Sequence, residues 1–252
     1  MSASAAAKTR MLSVGGEPLF YARWDCVVMI HYQVDPDALQ RCVPFELDLR
    51  NGQAFVSLVG FTMRRMRPRR GGPMGEWLLK PIATHDFMNV RTYVRANDEP
   101  GIYFLTEWLA NWVSVPLGRP VFGLPYHFAR IIYYHAHPSC GISGDVIVDG
   151  QRLFYRGEMN EAEFSTCAAG SFEEFVMERY TAFTRQFRTR RMFRVWHEPW
   201  SQVSLGVVLI ADDLLRSSCS WWKTARYVNA NYSPGVDVWM GRPLRVALAR
   251  QK

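Results

Sequence analysis

Hydrophobic and polar positions alternate along much of this chain, and the alternation stops at a few helix and turn signals. The clearest run is 87–95. On an extended strand Met88, Val90, Thr92 and Val94 fall on one face, and Asn89, Arg91, Tyr93 and Arg95 on the other. Residues 20–34 are rich in aromatic and β-branched side chains and predict a long strand. Residues 54–63 and 128–137 predict two more, and strands resume from Trp196. Asp149-Gly150 between two apolar runs predicts a hairpin, because both turn residues tolerate positive φ.

Helix signals are fewer. Asp35-Pro36 supplies an N-cap followed by proline at the first helical position, so a short helix is expected before Pro44. Ser171-Phe172-Glu173-Glu174 reads as a capping box, and Phe172, Phe175, Val176, Tyr180 and Phe183 follow at helical spacing. One long helix is therefore expected over 171–187, packed on the outside of the sheet without a role in any cavity. Residues 64–75, with two prolines and three glycines, predict a loop. Residues 1–15 are small and polar and predict a frayed tail, leaving 16–252 as a single domain. Many strands with one substantial helix indicate a mainly β (α+β) fold closed into a barrel or cone.

Composition narrows the classes. The chain of 252 residues is 48% hydrophobic and 14% aromatic, enough to bury a large core. Its net charge of +7 comes almost entirely from arginine, for Lys8, Lys80, Lys223 and Lys252 are the only lysines. Few amines are thus available as nucleophiles. Cys26, Cys42, Cys140, Cys167 and Cys219 are scattered and form no C-x-x-C pair, so neither a disulfide framework nor a zinc ribbon is expected. No apolar run has membrane-spanning length, and a cytoplasmic protein with no membrane partner is expected. No nucleotide-binding glycine loop and no Gly-x-Ser-x-Gly elbow occurs, which argues against nucleotide cofactors and serine hydrolysis. The arginine runs 64–70 and 185–194 raise a nucleic-acid reading, but no nucleic-acid module accompanies them, and this is the least favoured class. His135 and His137 share a strand face without obvious further ligands, so no metal is expected.

Two sets of residues carry candidate chemistry. Asn89, Arg91 and Tyr93 share a strand face; inside a lumen, Arg91 would bind a carboxylate through two parallel hydrogen bonds. On an exposed edge the same face would simply be solvated. Glu107 stands in the very apolar stretch 103–111, where its carboxyl should hold its proton unless it meets Arg91 or Arg119.

The segment Gly118-Arg119-Pro120-Val121-Phe122-Gly123-Leu124-Pro125-Tyr126-His127 resembles the Gly-Arg…Tyr-Pro-Lys-Lys segment of acetoacetate decarboxylase, whose lysine forms an imine with its ketone. Residues 29–44, the turn Asn97-Asp98-Glu99-Pro100 and His197-Glu198-Pro199-Trp200 resemble further elements of that superfamily, in the same order. Asn89–Val94, Gly101-Ile102-Tyr103-Phe104 and Phe122–Tyr126 look closer still to its uncharacterised YqjF-like group; the resemblance covers roughly residues 18–245. It implies a bent sheet around a cavity, with Tyr126 and His127 where the lysines would stand. A phenol and an imidazole form no imine, so acid/base chemistry by His127, Tyr126 and Glu107 replaces the Schiff base in this reading. Asn89, Arg91, Tyr103, Arg119 and His197 are then the expected ligand-binding set. The ligand expected is a small organic molecule with a carbonyl or carboxylate. A non-catalytic binding protein fits the same cavity, no cofactor is called for, and homo-oligomerisation is left open.

Overall fold

The computed structural model describes residues 2–136, 141–159 and 163–246. Its strands are β1 (Phe20–Val34), β2 (Glu46–Leu47), β3 (Ala54–Pro68), β4 (His85–Ala96), β5 (Glu99–Leu109), β6 (Tyr126–Phe128), β7 (Arg130–Tyr134), β8 (Ile142–Val148), β9 (Gln151–Met159), β10 (Ser165–Thr166), β11 (Thr181–Gln186), β12 (Thr189–His197), β13 (Ser201–Ala211), β14 (Arg226–Met240) and β15 (Leu244–Arg245). Six short helices accompany them: α1 (Ala3–Leu12), α2 (Pro36–Gln40), α3 (Gly72–Leu79), α4 (Ser114–Phe122), α5 (Phe172–Met177) and α6 (Asp213–Ser218).

The strands pair in the order β12-β11-β5-β4-β3-β1-β14, and β14 pairs again with β12 through Val195↔Met240, Trp196↔Trp239 and His197↔Val238. The sheet therefore closes on itself as a bent ring rather than a barrel of even girth. From β14 it also continues through β13, β9 and β8 to β7, and this extension curls back over the outer face, where the Tyr133 hydroxyl donates to the Phe87 carbonyl (2.8 Å). Both faces of the central strands are consequently buried. Met88, Val90 and Val94 of β4 join the outer core with Val28, Ile30 and Leu58, while Phe87 and Tyr93 join the enclosed core with Val27, Met29 and Val59.

The bend is built into β1 and β14. Register slips between Asp25 and Val28, where Cys26 takes φ +53, and Gly235 opposite has φ +124. A Cβ on Gly235 would lie 2.1 Å from the Trp24 carbonyl oxygen, so only glycine lets the strands cross this closely. The tight turns follow residue chemistry too. Asp149 (φ +47) with Gly150 (φ +82) joins β8 to β9, and Asn97 (φ +48) with Asp98 (φ +63) joins β4 to β5.

Several expectations need correction. The long helix over 171–187 is the six-residue α5, after which the chain turns and runs as β11. The start signal is genuine, since Ser171 Oγ accepts from the Glu174 amide (3.0 Å). Tyr180 and Phe183 instead reach the core from a turn and a strand, so helical spacing was coincidental beyond the first turn. The arginine run there is the β11–β12 hairpin. Residues 64–75 are half strand and half helix, because β3 continues to Pro68 before α3. Residues 3–12 form α1, anchored by buried Met11 and Ala7 and by the Ser4 hydroxyl donating to the His197 carbonyl (2.7 Å). The predicted 128–137 strand is broken at Ala129 into β6 and β7; His137 lies outside the described residues, and His135 is buried against Cys26 and Tyr155. No helix among the described residues is long and apolar enough to cross a membrane.

Candidate functional site

The ring encloses a cavity of about 280 Å³ with largely apolar walls, among them Trp24, Phe61, Phe87, Phe104, Phe193 and Trp200. One face of β4 supplies three of its polar groups. Alternation sends His85, Phe87, Asn89 and Arg91 inward. Beside them, Asn89 pairs in register with Glu107 of β5, and Glu107 pairs with Tyr126 of β6, so these three side chains form one row across the cavity wall. A bulge in β5 makes this row possible. Arg91 faces Phe104 while Val90 faces Thr106, so one extra residue at Leu105 returns both Phe104 and Glu107 to the inner face.

Tyr126 owes its position to Gly118 of α4. A Cβ on Gly118 would fall 2.1 Å from the Tyr126 ring, so the glycine is the notch through which the ring passes. Asn111 starts α4: its Oδ1 accepts from the Val113 and Ser114 amides (3.0 and 3.2 Å), and its Nδ2 donates to the Pro81 carbonyl (2.7 Å). Gly123, with φ +73, ends it.

Arg91 sits at the cavity floor, 5% exposed. One Nη2 donates to the Val176 carbonyl of α5 (3.0 Å), and among the described residues no carboxylate pairs with it. Arg179 also lines the floor but pairs with Asp48 (2.7 Å), a carboxylate it shares with Arg95 (3.0 Å). Behind Arg91 runs a buried polar chain. The Tyr93 hydroxyl donates to the Val176 carbonyl (3.0 Å), Ser57 Oγ contacts both Tyr93 and His31 Nδ1 (2.7 Å), and His31 Nε2 meets Asn231 Oδ1 (3.2 Å).

Protonation follows burial. Glu107 is 3% exposed, and desolvation alone pushes its carboxyl well above the usual carboxylate range, favouring the protonated form. Burial, then the neighbouring Glu107, push the Tyr126 phenol well up. Burial holds the His85 imidazole down to about 4, and His197 down to about 4, so both are neutral.

Five cavity-lining side chains carry a buried polar atom with no partner within the described protein: both nitrogens of His85, Asn89 Oδ1, Arg91 Nε, Glu107 Oε2 and Ser114 Oγ. Buried polar groups in folded proteins are ordinarily paired, and here five that are not converge on one space.

Of the predicted site residues, the cavity brings together Asn89, Arg91, Glu107, Tyr126 and His197. It leaves out three. Alternation in β6 turns His127 outward, exposed, as Tyr126 turns inward. Tyr103 pairs with Thr92 and so faces the outer core, against Phe45. Arg119 is exposed on α4, its Nη2 donating to the Tyr126 carbonyl (3.2 Å). Sequence reasoning missed His85, Ser114 and Arg179. Extending the β4 alternation by two residues would have reached His85; Arg179 was hidden by assigning it to a helix. No lysine lines the cavity, and among the described residues no side-chain cluster is placed to hold a metal.

A bent sheet closed around one cavity is the acetoacetate decarboxylase-like fold. Similar solved structures include the enduracididine biosynthesis enzyme MppR complexed with pyruvate (16% identity, TM-score 0.64, 91% of each chain). An acetoacetate decarboxylase is similar at 12% identity and TM-score 0.63, over 97% of this chain and 99% of that one. An acetoacetate decarboxylase-like enzyme from Sphingomonas wittichii RW1 is similar at 15% identity and TM-score 0.62, over 92% and 95%. Within that class, the chain belongs to the DUF2071 family, described as an uncharacterized conserved protein, whose model matches residues 21–237. The uncharacterized protein YqjF of Bacillus subtilis (strain 168) is 27% identical over 196 residues, 75% of this chain and 78% of that protein.

Proposed function

We propose that the cavity binds a small organic acid, with its carboxylate on Arg91 and a carbonyl at the Asn89–Glu107–Tyr126 row, and that Glu107 acts there as a general acid. The observation that carries this reading is Arg91: a buried guanidinium with no carboxylate partner, facing a cavity. A buried cation is costly unless an anion meets it, so the ligand supplies the missing charge. The row then receives a carbonyl in one way. Glu107 and Tyr126, both held toward their protonated forms by burial, are placed to donate to its oxygen. MppR in complex with pyruvate shows that this fold can accommodate a keto acid.

Thermal shift and calorimetry against a panel of 2-oxo and 3-oxo acids test the proposal. Some acids should stabilise the wild type, and Arg91→Met should remove the effect. Glu107→Gln should keep binding and lose any turnover; binding without turnover in the wild type would make the protein a carrier. If no acid stabilises the wild type, or Arg91→Met binds as well, the assignment is wrong.

A further inference from the structure

Resting on the reading of Arg91 as the carboxylate anchor, we infer that the ligand is an amphiphilic acid, a carboxylate carrying a long alkyl or aryl body, bound head inward with its body leading out between α3 and α4. The cavity is graded from floor to mouth. At the floor Arg91, His197 and Trp200 are 5%, 2% and 1% exposed. At the other end Leu117 and Val121 of α4, which also line it, are each 47% exposed, with half-buried Leu79 and Ile82 across from them. The unpaired charge lies at the floor and Glu107 in the middle row; toward the mouth the lining is mostly apolar, with His85 the polar exception.

The length is set by β4. From Arg91 to His85 the strand rises six residues, roughly 20 Å at ~3.3 Å each. Between these ends Phe61, Phe87 and Phe122 form the walls. The volume agrees, for about 280 Å³ is more than an order of magnitude above the ~10–15 Å³ that one water needs. Pyruvate or acetoacetate on Arg91 would leave most of this apolar wall unburied. Outside the mouth the apolar surface continues onto Met74, Trp77 and Leu78 of α3, at 73%, 70% and 62% exposed, so the exit is not a polar gate that would select short, hydrated acids.

The test is a homologous series of straight-chain carboxylates, from propionate upward, titrated calorimetrically into the full-length protein beside octanol, pyruvate and phenylpyruvate. Affinity should climb by roughly fourfold per added methylene until the tail reaches Leu117 and Val121, then level off. Octanol should bind far more weakly than octanoate. Leu117→Trp, or Val121→Trp should the first fold poorly, narrows the mouth and should move the plateau to shorter chains while leaving propionate unaffected. Short acids that depend on Arg91 but show no gain with chain length would overturn this inference and leave the anchor standing. Chain-length gain that is indifferent to Arg91→Met, or octanol binding as well as octanoate, would overturn both. A plateau unmoved by either tryptophan would mean that the body does not leave through this mouth.

Discussion

Glu107 has no cation beside it, and its protonation is set by burial alone. The sign of the pH effect follows. A carboxyl whose pKa is raised on folding stabilises the fold fully below its unfolded value, near 4.5, and progressively less as pH climbs toward its folded value. Glutamine imitates the protonated acid. Glu107→Gln should therefore match the wild type in denaturant unfolding at about pH 5 and exceed it at about pH 9. Equal stability of the two proteins across that range would show that Glu107 is ionised without cost. At Tyr126 the decisive neighbour is Gly118. Gly118→Ala should drive the ring from the row and weaken acid binding tenfold or so, while Tyr126→Phe removes only the hydroxyl. Imine chemistry is not expected, because no lysine lines the cavity. Borohydride with acetoacetate should leave the protein mass unchanged, and a stable adduct on Lys80 or Lys223 would contradict this.

Among the elements, α5 departs furthest from its sequence reading. It does not lie outside the sheet but closes the cavity floor: the Val176 carbonyl receives Arg91 and Tyr93, and the Met177 carbonyl receives the Trp200 indole (3.0 Å). Phe175 packs against Phe55 and Tyr93 and under the Arg179 guanidinium. Phe175→Ala should thus destabilise the protein by about 2–4 kcal/mol, less than a fully buried phenylalanine, and also weaken acid binding. Lowered melting temperature with unchanged affinity would show that α5 does not hold Arg91. The strands were far more legible than this helix. β1 and β4 alternate or run apolar over many residues, and the Asp149-Gly150 turn has one good solution. A capping residue marks where a helix starts but not how far it runs, and the apolar positions after Met177 suit a strand of the enclosed core as well as a helix face. The β5 bulge and the turn that aims Arg179 inward depend on contacts between distant strands, so no local pattern announced them.

Across the whole molecule, four buried imidazoles respond to acid together. Burial depresses His31 to about 3 and His85, His135 and His197 to about 4. Their unfolded values are near 6.5, so the unfolded chain takes up protons first, and stability is lost as pH falls from 6.5 toward 4. The shifts of His85, His135 and His197 correspond to roughly 3.5 kcal/mol each at most, and that of His31 to roughly 5. The melting temperature should drop over that window, against an opposing gain from Glu107. His135→Gln and His85→Gln should each flatten the drop; if neither does, the acid sensitivity originates elsewhere.

The closure of the sheet through β12 and β14 has a kinetic consequence. The ring strands β12-β11-β5-β4-β3-β1-β14 are each paired to a neighbour on both sides, so the enclosure cannot open by parting two of them without breaking a ladder. On the proposed reading, ligand exchange falls to α4, which Asn111 tethers to the Pro81 carbonyl at one end and Thr184 and Gln186 of β11 hold at the other. Asn111→Ala should speed association and dissociation by similar factors in stopped-flow mixing and leave the equilibrium constant nearly where it was. The residence time of a ligand would thus be set by one side-chain amide remote from the chemistry.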